Sequence, residues 1–591
     1  MSMTTRFPLA ATLAARRACR PRKVPGDRKR VNIVSSSLCD DVLDHLAPSL
    51  ERHENCDIIE VNPGPGLWSS KFHDHVKPRS HILLEPDATL YEPFLKPLLD
   101  RPDSRYRLAP YSGFEWASYR RLMDEGLLPH QNVLPAGDAR LDQPNNSLLF
   151  LATLASHPPK KYGTFGSESH LLVSQLLSAI PLHAIFQAYG LVRMLIWIPD
   201  QDKKLTLPKA VADRRKVAVT AETSSRIFEI AGMQEKCASS SKRSISRHPD
   251  FEMESMARVL KSTKTCSSHR QRELQRPVHS QSSWGTGTKQ SEAQREMDAL
   301  RQLFMENKLA KYKTDPPPTL SSSQLDTGKK SKIAGRLGKK KGVYRTATPE
   351  YARLLQLERD VRRELQGQAR LDQSRQDQDH LYRLERAVAQ GRPSSDAEAI
   401  RKPWEDLKKN VDAKLQNLNT NDRDRILLYS DDKRALEADV PTLMWDRRTQ
   451  EPLNVEPDEF LPEVPLALLD IQPKPLPPRL RDSSDVYDYY TYIISLLFLQ
   501  PKQTVREGLE ALAPGASAYI LPRCLSIRNP FKGGRLDLDD MRVRMLTPEM
   551  FEEIAVAWEG WPFKPSMDEF VQKMGVIPQF KDIPSPQVRV M

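Results

Sequence analysis

The stretch Ile58-Ile59-Glu60-Val61-Asn62-Pro63-Gly64-Pro65-Gly66 decides the fold class of this chain. An apolar, β-branched run that ends in an acid and then breaks into a glycine-rich turn is how a parallel strand presents its backbone to a nucleoside ligand. A second run, His81-Ile82-Leu83-Leu84, follows at the distance of one crossover helix and ends in Glu85. Acids at two neighbouring strand tips can hold one ribose.

Outward from this point, strand-like and helix-like segments alternate from Val31 to about Gly232. The pattern predicts an α/β fold, a Rossmann-like sheet with crossover helices, whose strands cover 57–61, 81–85, 132–135, 147–152 and 191–198. Tyr106 to Pro129, with Phe114, Trp116 and Tyr119, reads as an amphipathic insertion helix packed on that sheet. The most apolar region, Leu171 to Ile198, is interrupted by Pro181, Gly190 and Arg193, so a buried helix followed by a buried strand is expected rather than a membrane span.

The 591 residues include 47 prolines, and only 39% are apolar against 28% charged, which argues against one continuous core. Five segments are expected. Residues 1–30 carry Arg6, Arg16, Arg17, Arg20, Arg22 and Lys23 with no acid before Asp27, the pattern of a mitochondrial presequence or transit peptide, with a disordered basic tail as the alternative. Residues 31–237 form the α/β domain. Residues 238–349, rich in Ser, Lys, Arg, Gln and Pro, form a disordered basic insertion. Residues 350–440 form a charged helical segment, and residues 441–591 a C-terminal helical domain.

The net charge of +12 favours a polyanionic partner without establishing one. Within the insertion, Lys329, Lys330, Lys332, Arg336, Lys339, Lys340, Lys341 and Arg345 can neutralise several phosphates at once; a solvated linker is the competing reading. The six cysteines never fall in a C-x-x-C arrangement, so neither a zinc site nor a disulfide framework is indicated. His73, His75 and His81 are close in sequence, but the first two do not share a helix face, and no metal is expected. Tyr487, Tyr489, Tyr490 and Tyr492 are expected to pack within the helical domain rather than to stack on bases.

Gly64 and Gly66, then Glu85, then Asp138 in Gly137-Asp138-Ala139 follow the order found in adenosylmethionine-dependent methyltransferases. With Asn32-Ile33-Val34 upstream and Leu83-Leu84-Glu85-Pro86-Asp87, the chain resembles the ribosomal-RNA adenine N6-dimethyltransferases, and more closely their mitochondrial transcription factor B branch. The resemblance covers roughly 31–232 and, loosely, 441–565. It implies S-adenosyl-L-methionine as the cofactor, bound or vestigial, with Asn32, Asn62, Gly64, Gly66, Glu85 and Asp138 around it.

Active members of that family carry Asn-Leu-Pro-Tyr or a near variant after the fourth strand. The asparagine and a backbone carbonyl accept hydrogen bonds from the target amine, and the ring stacks on the flipped base. Here Leu148-Leu149-Phe150-Leu151 runs into Ala152-Thr153-Leu154-Ala155-Ser156-His157-Pro158-Pro159: Thr153 stands in place of asparagine and Ser156 in place of the ring. Base–aromatic stacking contributes about 1–3 kcal/mol per base in single-strand binders, so its loss should leave little turnover.

The first glycine of the turn is replaced by Asn62, which tolerates a left-handed backbone better than other non-glycine residues. With the catalytic ring missing, the resemblance implies a mitochondrial transcription initiation factor in the matrix, a monomer that assists mitochondrial RNA polymerase in recognising and melting promoter DNA. A working mitochondrial rRNA dimethyltransferase that uses Thr153 is the alternative, and a mitoribosomal RNA-binding scaffold is the third reading.

Overall fold

The computed structural model describes residues 6–19, 23–161, 165–234, 247–266, 276–279, 291–306, 308–315, 344–391, 395–566 and 569. Its strands are β1 (Asn32–Ile33), β2 (Asp57–Val61), β3 (Ser80–Leu84), β4 (Tyr106–Ala109), β5 (Pro144–Thr153), β6 (Leu191–Pro199), β7 (Ser225–Gly232), β8 (Tyr312–Asp315), β9 (Tyr344–Ala347), β10 (Leu453–Asn454), β11 (Phe460–Leu461) and β12 (Leu466–Pro473). Eight of them form one sheet in the order β10-β7-β12-β6-β5-β2-β3-β4. Every pairing is parallel except those of β12, which runs antiparallel to both β6 and β7.

Strands buried on both faces read as near-continuous apolar runs, and every residue of β2, β3 and β6 is buried. One face packs Ile59, Phe150, Met194 and Ile196 with Leu172 and Leu176 of a covering helix. The other packs Ile58, Leu149, Leu195 and Trp197 with Leu38, Trp68 and Phe72. Arg193 lies inside this sheet because Asp470 of β12 neutralises it, at 2.8 Å from Nε and 2.7 Å from Nη2.

Several expectations are corrected here. Residues 132–135 form no strand; the sheet position beside β3 belongs to β4, at the start of the expected insertion helix, whose helical part is only Trp116–Asp124. The sheet does not close at 237, and the C-terminal part is not purely helical: β10 and β12 complete the sheet from beyond the insertion. The insertion is not structureless throughout. Helix Pro249–Cys266 docks through Glu252, which accepts the Trp445 indole N–H at 2.9 Å, while Arg247 pairs with Asp446 at 2.8 Å. Its polar composition hides this anchoring because the ionic partners lie about 200 residues away.

Within the segment expected as a presequence or disordered tail, residues 8–18 form a docked helix, α1 (Pro8–Ala18): Ala10 and Leu13 pack with Val34, Leu83, Leu90, Tyr91 and Leu95. Beyond the sheet, helices Ser484–Leu497 and Pro548–Glu559 build a C-terminal lobe around Ile493, Ile494, Phe551 and Trp558, and Tyr489 and Tyr490 are part of that core.

A second compact unit comprises residues 285–380 and 409–426. Within it, helix Glu292–Met305 packs Met297 and Phe304 on Leu354, Leu357 and Val361 of the 42-residue helix Pro349–Gln390. The hairpin β8–β9 carries Arg345; the other seven residues of the basic run fall outside the described residues. Among the described residues no helix is long and apolar enough to cross a membrane.

Candidate functional site

The tips of β2, β3 and β5 converge on one crevice, at the carboxyl ends of parallel strands where ligands of such sheets bind. The turn after β2 is built from alternating left-handed residues, Asn62 at φ +56°, Gly64 at +57° and Gly66 at +73°. Asn62 thus accepts the conformation of the glycine it replaces. Gly66 opens α2 (Leu67–Val76). A Cβ at Gly64 would overlap Oδ1 of Asn32, so the side chain of Asn32 lies directly over the glycine turn.

Glu85, fully buried, is held from every side. Its Oε2 accepts the Gly64 N–H at 3.1 Å and its Oε1 accepts the Asp87 N–H at 2.9 Å. The Arg30 guanidinium donates to both carboxylate oxygens, with Nη1 at 3.0 Å from Oε2 and Nη2 bonded to Oε1. Nη2 also reaches Asp87 at 2.6 Å, and the guanidinium lies 5.0 Å from the Tyr91 ring centre. Forked charge-assisted contacts of this kind are the strong ones. The carboxylate expected to take ribose hydroxyls is already saturated by an arginine of the same chain.

The remaining cavity, lined by Asn32, Asn62, Pro63, Trp68 and Thr153 among others, measures about 10 Å³. That is room for about one water, whereas small-molecule sites run to about 300 Å³ or more. As arranged here, the residues do not fit S-adenosyl-L-methionine.

The loop after β5 is engaged in the same way. The Thr153 carbonyl accepts from Asn62 Nδ2 at 3.3 Å, the Ala155 carbonyl accepts from the Val31 N–H at 2.9 Å, and the His157 N–H donates to the Lys29 carbonyl at 2.8 Å. Arg30 and Ser156 form a β-bridge. The carbonyls of Thr153 and Ala155 are therefore bonded to the chain itself. Phe165, the nearest following described ring in sequence, stands edge-on to His170 at 5.2 Å.

Asp138 is a correction. It caps a turn just before the start of β5, next to Gly190 and the start of β6, at the amino ends of the strands and away from the crevice. Its carboxylate accepts from Arg140, whose hydrogen bonds hold its pKa down to about 2. With no strand at 132–135, nothing carries this acid to the carboxyl edge. Asn32, Asn62, Gly64, Gly66, Glu85 and Thr153 do meet at one place. Arg30, Asp87 and Tyr91 are the members that the sequence reading missed. The acid-x-acid spacing of Glu85 and Asp87 was the one available signal for a cation between them.

His73 and His81 face each other with Nδ1 atoms 3.2 Å apart, and His81 Nε2 is 2.9 Å from Glu60. Burial, reinforced by His81, lowers the His73 pKa to about 4. A histidine whose folded pKa lies below its unfolded value near 6.5 contributes stability at neutral pH that is lost as pH falls through that window. His73→Phe is therefore expected to lose less thermal stability than the parent between pH 7.5 and pH 5, as read by melting at the two pH values. An equal loss in both would contradict this.

A mainly parallel sheet with one antiparallel strand inserted near its end, and a glycine turn beside an acidic strand tip, defines the Rossmann-like methyltransferase class. Residues 32–255 match the family described as ribosomal RNA adenine dimethylase. The chain is 26% identical over 198 residues to proteins named mitochondrial transcription factor 1 from Saccharomyces paradoxus and Saccharomyces cerevisiae, covering 33% of this chain and 52% of each relative. A protein of the same name from Lachancea kluyveri is 26% identical over 179 residues, covering 29% of this chain and 46% of the relative. The chain spans about half the length of the curated relatives it matches.

Proposed function

We propose that this protein is a mitochondrial transcription initiation factor built on a methyltransferase scaffold, which assists mitochondrial RNA polymerase in recognising and melting promoter DNA. The observation that carries the reading is the state of the crevice: the glycine turn and Glu85 are kept, but the Glu85 carboxylate is bonded to Arg30 and to the Gly64 N–H, and the Asn32 side chain lies over the turn. The names of the relatives support the same direction. In this reading the protein acts as a monomer in the mitochondrial matrix, S-adenosyl-L-methionine is vestigial, and Thr153 has no catalytic role. The basic run Lys329 to Arg345 adds salt-sensitive, sequence-independent attraction to nucleic acid.

The family match favours one other reading, a mitochondrial rRNA adenine N6-dimethyltransferase. Promoter-specific run-off transcription separates the two: adding the chain to the matching polymerase is expected to raise specific transcript at least about tenfold, the scale of about 1.4 kcal/mol in promoter opening. Methyl incorporation from labelled adenosylmethionine into small-subunit rRNA, with no gain in transcript, would support the enzyme instead.

A further inference from the structure

The contacts around Arg30 belong to a longer device. The arm that precedes β1 is fixed at four places: α1 buries Ala10 and Leu13 on α3 (Ala88–Leu99) and its neighbours, Arg16 Nε donates to the Leu90 carbonyl at 2.8 Å, Arg17 donates to the Leu461 carbonyl at 3.4 Å, and residues 29–31 bond along the loop after β5. At Gly26 the backbone comes so close to Leu90 that an added Cβ would sit 2.8 Å from the leucine Cβ. The arm thus crosses the mouth of the crevice from the β3 tip to the β5 tip.

We propose that this arm is a built-in occupant of the nucleoside crevice, with Arg30 standing where ribose hydroxyls would bind and Asn32 covering the glycine turn. The site thereby anchors the N-terminal arm and admits no nucleoside cofactor. Displacement is unfavourable on chemical grounds. An incoming ribose brings hydroxyl donors but no charge, whereas Arg30 brings a full positive charge and two parallel N–H donors to the same carboxylate. It would also take Glu85 from the guanidinium, leaving Asp87 as its remaining acid, and loosen the arm that Arg30 ties to the β3 tip. The arrangement does not depend on the transcriptional role, since it concerns what fills the crevice rather than which partner the surface binds.

The test uses the full chain and two measurements. Equilibrium dialysis against labelled S-adenosyl-L-methionine is expected to show no retention by the parent at a ligand concentration of about 100 μM, a weak-binding ceiling. Limited trypsin digestion is expected to cut between residues 16 and 29 about tenfold faster in Arg30→Ala than in the parent, because cleavage follows the population of the open arm. Arg30→Lys keeps the charge without the fork and is expected to fall between them; if Arg30→Ala does not fold, the comparison is made on this variant. Retention of adenosylmethionine by the parent, or an unchanged rate of arm cleavage in the variants, would overturn the proposal.

Discussion

Glu85→Ala is expected to lower the unfolding free energy by about 3–5 kcal/mol, the range seen when one member of a buried ion pair is removed. The substitution leaves the buried Arg30 guanidinium with Asp87 as its remaining acid and takes the acceptor from the Gly64 and Asp87 N–H groups. Urea unfolding followed by circular dichroism reads this as a lower midpoint at unchanged slope. A carboxylate facing an open cofactor pocket would behave differently: with no internal partner, its loss would be nearly neutral or stabilising. Glu85→Gln, which keeps an acceptor oxygen but not the charge, is expected to fall between the two.

The second large effect concerns the strand that returns to the sheet from beyond the insertion. Arg193 of β6 makes a two-pronged contact with Asp470 of β12 and donates to the Ser49 carbonyl at 2.9 Å. Asp470→Leu is expected to cost about 3–5 kcal/mol because it leaves that guanidinium buried without its acid. The double variant Arg193→Leu/Asp470→Leu is expected to recover much of the loss, since replacing both charges with apolar groups is often close to neutral. Additive losses would mean that the two side chains do not meet, and that residues 466–473 do not lie between β6 and β7.

What the sequence made legible was local. The run from Ile58 to Gly66 shows its strand, its turn and its left-handed positions because apolar patterning and glycine spacing are properties of adjacent residues. Glu85 was found for the same reason. The apolar character of 464–471 was also visible, but a short apolar run does not distinguish strand from helix, and its neighbour β7 lies more than 200 residues earlier. β4 has only four residues and falls inside a stretch dominated by aromatic residues spaced as in a helix.

Asp138 lies away from the crevice because the strand expected at 132–135, which would carry it to the carboxyl edge, does not form. Arg30 was invisible for another reason. Before folding it is one of several arginines in a basic arm, and nothing in its neighbourhood reports a carboxylate 55 residues away.

A transcription factor built on a methyltransferase sheet whose cofactor crevice is closed by its own chain should work without adenosylmethionine. Run-off transcription from a mitochondrial promoter, with the matching polymerase and with or without adenosylmethionine, tests it most directly. Strong stimulation by this chain, equal in both conditions, is expected; no stimulation, or stimulation that requires the cofactor, would rule the proposal out.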